Sequence, residues 1–232
     1  FLPGTDERLR ATVDAVAERS GVAKSTLYRH WNSLNELLVA EMRASVPESM
    51  PVDLDPGFDP RGVLVAPIFL DSQAYNTGER TRAYYRTVFE RLASLPGVTA
   101  VGGATTVPTS PLGPDFERPV WPEDASADSS QRLPASVRMV TPGHFPALGL
   151  RIAAGRAIDD RDQPASPRVV MVNESLANRV WPGQPAIGKR LVVDYSTAGT
   201  YPYEVIGVVG DMRFRGPRSQ PQPEIFLPHA QR

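Results

Sequence analysis

The side chains best suited to chemistry in this sequence are three histidines and one tight group of carboxylates. His30, His144 and His229 are far apart, and none belongs to the HExxH pairing that holds zinc on one helix face. Ordinary structural roles are the better interpretation of all three. The carboxylates could attract a cation, but they lack the glycine and the terminal glutamate of a calcium loop, which favours a solvated turn. These carboxylates are Asp159, Asp160 and Asp162.

Other catalytic and binding signatures are weak or absent from the sequence. Gly102-Gly103 could approach a phosphate, but no Gly-Lys-Ser/Thr follows, so a strand that ends in a turn is favoured. Asn173 opens a glycosylation triplet, although its place before a helix makes it the better N-cap. There is no G-x-S-x-G motif, and the absence of cysteine excludes thiol catalysis and disulfides. We predict no enzyme activity and no catalytic, cofactor-binding or metal-binding residues.

A further set of polar side chains near the start of the chain could read DNA. Residues 12–38 place a short helix, a turn containing Gly21 and a second helix in the order of a helix-turn-helix. The second helix would present its N-terminal side chains to base edges and phosphates. The candidate DNA-binding residues are Lys24, Ser25, Thr26, Tyr28, Arg29 and His30. The alternative is an ordinary helical hairpin with a solvated polar face.

This segment, about residues 11–46, resembles the N-terminal region of TetR-family transcriptional regulators. The matching runs are Val13 to Ala17, Gly21-Val22 and Ser25 to Trp31. The resemblance implies that DNA is a partner of residues 12–31. The chain departs from the family because residues 1–10 cannot supply its long first helix, and because the helical domain for ligand binding and dimerisation does not follow. The segment therefore predicts a truncated regulator motif.

The elements beyond this segment alternate between strands and helices. A strand at Val63–Leu70, a helix at Glu79–Leu95 and a strand at Val98–Thr106 would form one strand-helix-strand unit. Residues 108–134, rich in Pro, Asp and Ser, predict a long irregular excursion. Further strands are predicted at Ala135–Val140, Arg168–Val172, Arg190–Val193, Tyr203–Val209 and Glu224–Leu227, with helices at Pro142–Leu148 and Glu174–Val180.

The predicted fold class is α+β or α/β. A small all-α helix-turn-helix segment at residues 1–46 is followed by a linker at residues 47–60, where Pro, Asp, Gly and Ser interrupt any helix. Residues 61–232 then form a mixed α/β region with strand-helix-strand units, which could fold as two subdomains. At 232 residues with 41% hydrophobic content, the chain can bury a real core.

From about residue 55 to residue 232 the sequence resembles the MacB-like periplasmic core domain of FtsX-type and MacB-type ABC transporter permeases. The matching blocks include Asp55 to Asp59, Val140 to Phe145, Val172 to Ala177, Val205 to Asp211 and Pro223 to Pro228. Their glycines and prolines specify turns and chain direction, which is typical of a structural role. The resemblance implies a non-enzymatic extracytoplasmic domain that couples conformational change or contacts a partner or substrate during export.

The resemblance also implies that other transporter subunits or domains are the partners, at the periplasmic face of the inner membrane. The net charge of −1 gives no overall attraction to nucleic acid or anionic lipid. No secretory signal or membrane-spanning run is present in the sequence, so we expect membrane attachment only through segments outside this chain. A TetR-like cytoplasmic regulator with a replaced C-terminal domain is the alternative. Because the two halves require different compartments, we expect a gene fusion, a fragment or an assembled sequence in which one half is a passenger.

Overall fold

The computed structural model describes residues 55–231 except residues 69, 71–75, 109–115, 126–131 and 217. This part of the chain is mixed α/β and rich in sheet, in agreement with the predicted fold class. The helix-turn-helix predicted at residues 1–46 lies outside the described residues, as do residues 47–54 of the predicted linker.

The described residues form seven strands and three α-helices. The strands are β1 Glu117–Pro122, β2 Leu133–Val140, β3 Ile152–Gly155, β4 Val169–Asn173, β5 Arg190–Asp194, β6 Thr200–Val209 and β7 Glu224–Pro228. The helices are α1 Gly78–Ala93, α2 His144–Ala147 and α3 Glu174–Val180. In the part of the chain that the structure describes, no helix has the length and apolar character needed to cross a bilayer.

The strands make one sheet that closes on itself. Its order is β3-β6-β4-β7-β2-β1-β5, and β5 also pairs with β6. Strand β6 makes this closure possible because its first half pairs antiparallel with β5, while residues 204–209 pair parallel with β4. Strand β3 adds to the last residues of β6. Six strands therefore form a ring, and β3 is attached outside it.

Each face of the sheet has its own apolar core. Alternate residues of a strand point to opposite faces, and β4 shows this directly: Val170 and Val172 belong to one core, while Val169 and Met171 belong to the other. Helix α3 packs on the first core through Leu176. Helix α2 packs on the second core. This two-sided burial explains why β4, with five consecutive buried residues, reads as an uninterrupted apolar run.

The three helices predicted between residues 79 and 180 are confirmed with small changes at their ends. Helix α1 begins after Thr77, whose hydroxyl accepts a hydrogen bond from the Arg80 backbone N–H. Helix α3 occupies the predicted residues, and Asn173 caps it by accepting from the Leu176 N–H. Both caps satisfy backbone donors that the first helical turn leaves without intrahelical partners.

The predicted strand-helix-strand unit around α1 is wrong. Residues 63–68 and 70 form no strand, and residues 98–106 contribute only an isolated bridge between Ala104 and Val140. The apolar, β-branched composition predicted burial, yet Leu64, Val65, Ile68 and Val98 are exposed. Composition indicates strand propensity but cannot supply the neighbouring backbone that a strand must pair with.

The irregular excursion predicted at residues 108–134 is also wrong in part, because β1 lies within it. Prolines argue against a strand, since they cannot donate a ladder hydrogen bond. Here Pro119 stands opposite Pro134 of β2, and the apolar residues Val120 and Trp121 are buried between β2 and β5. Strand β3 is missing from the prediction because it has only four residues, most of which are small and have little strand propensity.

Residues 55–59, predicted as part of the linker, pack on the domain. The Asp59 N–H donates to the Leu148 carbonyl, and the Arg213 N–H donates to the Pro56 carbonyl. Gly57 has a φ of +80°, and a methyl group there would overlap the Asp211 carbonyl. These contacts support the proposal that residues 55–59 belong to the folded domain and not to a linker.

The backbone at Gly102 and the backbone at Gly143 approach each other without side chains between them. A β-carbon on Gly143 would overlap the Val101 carbonyl oxygen, and one on Gly102 would overlap the Gly143 backbone. Gly103 accepts from the Thr141 N–H, and its own N–H donates to the Thr141 hydroxyl. The Gly102-Gly103 pair is therefore used for close backbone packing.

We expect Gly143→Ala to lower the free energy of unfolding by about 1–3 kcal/mol, because the added methyl group has no space beside Val101. Urea unfolding measured by circular dichroism gives this value. Gly210→Ala is the matched control, since the nearest atom to its new methyl group lies 3.6 Å away. The control should change stability by less than about 0.5 kcal/mol. Equal effects of the two substitutions would contradict the packing described here.

Candidate functional site

The candidate DNA-binding residues predicted from the sequence lie outside the described residues. These residues are Lys24, Ser25, Thr26, Tyr28, Arg29 and His30, within residues 12–31. Their contact with DNA stays a prediction. The polar clusters described below all belong to residues 55–231.

A buried ion pair between β2 and β7, the arginine node, is the most enclosed polar cluster. It consists of Arg138, Glu224, Thr106 and Phe214. Arg138 and Glu224 are each only 1% exposed, and the Arg138 Nε and Nη2 atoms donate to Glu224 Oε1 at 3.0 and 2.7 Å. Burial of this kind demands good geometry, because removing two charges from water is costly.

Two further groups complete the coordination of the Arg138 guanidinium. Its Nη1 atom donates to the Thr106 hydroxyl at 2.5 Å, and the Phe214 ring centroid lies 3.2 Å from its central carbon. The parallel register of β2 and β7 places Arg138 beside Phe226, two residues after Glu224 on the same face of the sheet. Since solvent hardly reaches the pair, a substrate would have no access to it. The geometry supports a structural role.

His144 lies beside this cluster in an aromatic environment. Its ring packs against Phe145 and Phe226, with centroid distances of 5.5 and 6.2 Å. Burial, together with the smaller effect of the nearby Arg138 charge, lowers its pKa to about 4. Its Nε2 atom has no hydrogen-bond partner among the described residues. A neutral, buried imidazole of this kind supports the structural role predicted for it.

His229 also has an aromatic partner. Its ring makes an edge contact with Tyr85 of α1, at a centroid distance of 5.3 Å. Burial, followed by the charge of Arg82, lowers its pKa. The two described histidines are thus separate, and neither belongs to a group that could hold a metal ion within residues 55–231.

Two of the three carboxylates predicted as a solvated turn, Asp159 and Asp162, are bonded to arginines, whereas Asp160 is exposed as predicted. Asp162 is buried and binds Arg156 through both oxygens, at 2.9 and 2.7 Å. Asp159 binds Arg161 in the same two-pronged way, and the hydrogen bonds from Arg161 hold the Asp159 pKa well below its usual range. The solvated interpretation is wrong for Asp162. Both carboxylate oxygens of Asp159 and of Asp162 thus already accept hydrogen bonds from guanidinium groups.

Asn173 joins three segments of the domain. Its side-chain oxygen accepts from the Leu176 and Glu224 N–H groups, and its side-chain nitrogen donates to the Gln222 carbonyl. The residue is fully buried in the folded domain. This geometry favours the predicted N-cap over the glycosylation acceptor.

Asp211, two residues after the end of β6, likewise joins separate segments through hydrogen bonds. One of its carboxylate oxygens accepts from the Ser175 N–H at 2.8 Å, and the other accepts from the Ser175 hydroxyl at 2.7 Å. The adjoining Arg213 donates to Asp55 and Ser219 carbonyls. The blocks around residues 55, 175 and 211 therefore meet in space, and they bind one another.

Apolar side chains are exposed at the end of α1 and just beyond it. None of the residues of α1 is buried. Leu92, Leu95 and Val98 are exposed by 39%, 51% and 38%, and hydrogen bonds from Leu95 to Leu92 and from Val98 to Leu95 keep them adjacent. An exposed apolar group of this kind is a feature of contact surfaces.

The buried imidazole of His144 predicts a loss of stability in acid. Its folded pKa of about 4 lies below the unfolded value of 6.5, so the unfolded chain binds the proton first as pH falls. The free energy of unfolding should therefore decrease between about pH 6.5 and pH 4, by at most about 3 kcal/mol from this residue. Urea unfolding across this pH range measures the effect.

His144→Leu is the matched variant for this measurement, because it keeps a buried apolar side chain of similar volume without the titrating nitrogen. Its stability should vary less with pH than that of the unchanged protein over the same interval. An identical pH dependence in both proteins would show that His144 is not the source.

Comparisons with known proteins agree with both resemblances seen in the sequence. Residues 38–232 match the model of the family described as MacB-like periplasmic core domain. Residues 9–40 match the model of the family described as bacterial regulatory proteins, tetR family. A search of curated proteins found no match.

Two solved structures are similar to this chain at low identity. The periplasmic region of MacB from Actinobacillus actinomycetemcomitans is 18% identical, with a TM-score of 0.43, over 63% of this chain and 55% of that one. The extracellular domain of the noncanonic ABC-type transporter YknZ from Gram-positive bacteria is 16% identical, with a TM-score of 0.41, over 61% of this chain and 60% of that one. This chain thus spans less than two thirds of either structure.

The assignment therefore depends on the family model. Its match covers most of the chain and includes every described strand and helix. The chain belongs to the MacB-like periplasmic core domain family.

Proposed function

We propose that this chain is a non-enzymatic extracytoplasmic domain of an ABC transporter permease of the MacB and FtsX type. It would act by conformational coupling, or by contact with a partner or substrate, during export. The observation that carries the proposal is the family match over residues 38–232. Other subunits or domains of the transporter would be its partners.

The described polar groups support a mechanical rather than a chemical role. The carboxylates of Asp162 and Glu224 each accept hydrogen bonds from an arginine. The carboxylate of Asp211 accepts from Ser175 at the N-terminus of α3. Catalytic acids and bases must instead reach a substrate. These groups tie neighbouring segments together, as a domain that transmits movement requires.

The proposal assigns the larger part of the chain to the outer side of the cytoplasmic membrane. Alkaline phosphatase, fused after residue 232 of the natural gene product in its own host, should be active, because that enzyme matures only outside the cytoplasm. The matched control is a green fluorescent protein fusion at the same position, which should be dark when exported by the general secretory route. Bright fluorescence together with inactive phosphatase would overturn the proposed location.

The second candidate function is that of a TetR-like DNA-binding transcriptional regulator with a replaced C-terminal domain. The observation that favours it is the separate family match over residues 9–40. Against it, the formal net charge of the chain is −1, so electrostatic attraction to a duplex must come from a local patch.

Fluorescence anisotropy of the chain with a random duplex at low salt tests this second function. We expect no binding that weakens with added salt. Arg29→Ala is the control variant, because Arg29 is one of the candidate phosphate contacts. Binding that falls steeply with salt, and falls again in the variant, would establish the DNA-binding alternative.

A further inference from the structure

One glutamine side chain connects the end of β7 to two other segments. Gln231 lies in the short 3-10 helix that follows this strand. Its side-chain nitrogen donates to the Pro167 carbonyl at 2.8 Å, to the Ser166 hydroxyl at 3.1 Å and to the Gln163 carbonyl at 3.3 Å. Its side-chain oxygen accepts from the Val169 N–H at 3.2 Å. Both ends of the amide are therefore used.

Residues 163–167, here called the 163–167 turn, bond mainly to themselves. The Ser166 N–H and hydroxyl both donate to the Gln163 carbonyl. Gln163 in turn donates to the carbonyls of Asp160 and Arg161, which lie just before it. Four of the five residues of the turn are exposed, so burial contributes little to its position. Among the described residues, every hydrogen bond that joins this turn to another segment goes to Gln231.

The first half of the same loop, between β3 and the turn, is fixed without Gln231. The Arg156 N–H donates to the Ile206 carbonyl of β6, and the Arg156 guanidinium binds Asp162 through two hydrogen bonds. Ile158 is buried in the second apolar core. The loop therefore has a firmly held first half and a second half whose hydrogen bonds to the rest of the domain depend on one side chain.

The bond to Val169 places the same glutamine at the edge of the sheet. Strand β4 pairs with β7 at Met171 and Val172, and this pairing does not extend to Val169, the first residue of β4. The Val169 N–H donates to the Gln231 side chain instead, in a residue that is only 5% exposed. A buried N–H that lost this acceptor would be left unsatisfied, which is costly. Gln231 thus also protects the start of β4.

We propose that Gln231 is the anchor of the 163–167 turn, so that the turn opens as a unit whenever residue 231 moves away from it. Glutamine suits this position because one amide supplies both the donors and the acceptor that the contacts require. Segments with few buried contacts open more easily than the core around them. The domain thus has a surface segment whose order depends on the end of β7. The proposal concerns movement within the domain and does not depend on the proposed transport function.

Nitrogen-15 relaxation of the whole chain tests the proposal, because it measures the order of each backbone N–H. Gln231→Leu removes the amide and keeps a side chain of similar size. We expect the order parameters of Ala165 and Ser166 to fall from about 0.85 to below about 0.6. The Val169 amide should exchange with solvent about ten-fold faster, because it loses its acceptor. Order parameters in β5 and β6 should be unchanged.

Two further variants isolate the donor of the anchor. Gln231→Glu keeps the shape and the acceptor, but an ionised carboxylate cannot donate to the three oxygen atoms of the turn, so the turn should open at pH 7. Gln222→Leu is the matched control, because among the described residues the Gln222 side chain donates only to the nearby Gln220 carbonyl. This control should leave the order parameters of the turn unchanged.

The outcomes are separable. An ordered turn in both Gln231 variants would overturn the proposal, and so would an equal acceleration of exchange throughout the sheet, which indicates general destabilisation. If Gln231→Leu failed to fold, Gln231→Glu would still decide the question, since it is closer to glutamine in shape and polarity. None of these outcomes bears on the location measured with the phosphatase fusion.

Discussion

The pairing of β6 with three other strands is the constraint on which the rest of this structure depends. Along its ten residues the pairing partners change: residues 200–204 pair with β5, residues 204–209 pair with β4, and residues 207–209 also pair with β3. At Glu204 the strand has a neighbour on each side, Arg190 of β5 and Val169 of β4. This single strand closes the ring and separates the two apolar cores. The positions of α3, Asp211 and the loop that carries Phe214 all follow from it.

Sequence reasoning was most successful where an element carries its own signals. Helix α3 has an asparagine cap, an acidic first turn and a short apolar stripe, and its residues were predicted correctly. Strands β4 to β7 are apolar and close to turn-forming residues, so their positions were also predictable. The family resemblance was recoverable for a related reason, because its glycine and proline blocks specify local backbone geometry.

The failures occurred where the structure depends on distant partners. The run at residues 63–70 has strand composition, but the described residues there form no strand. Strand β1 contains two prolines, which argue against a strand, and it forms because β2 and β5 pair with it on either side. The burial of Asp162 could not be predicted from the three neighbouring carboxylates, because it depends on an ion pair with Arg156, six residues earlier in the sequence. Nothing local indicated that Arg138, at an alternating position of β2, faces inward with Glu224 as its partner.

The closed ring reduces the number of strand edges to which another copy of the domain could add. Strands with free edges are templates for the addition of other chains, and proteins usually protect them. Among the described strands, only β3 has an unpaired edge. It is four residues long, and a register shift between Ile152 and Ala154 interrupts its pairing. Many copies could therefore crowd together without joining edge to edge into aggregates.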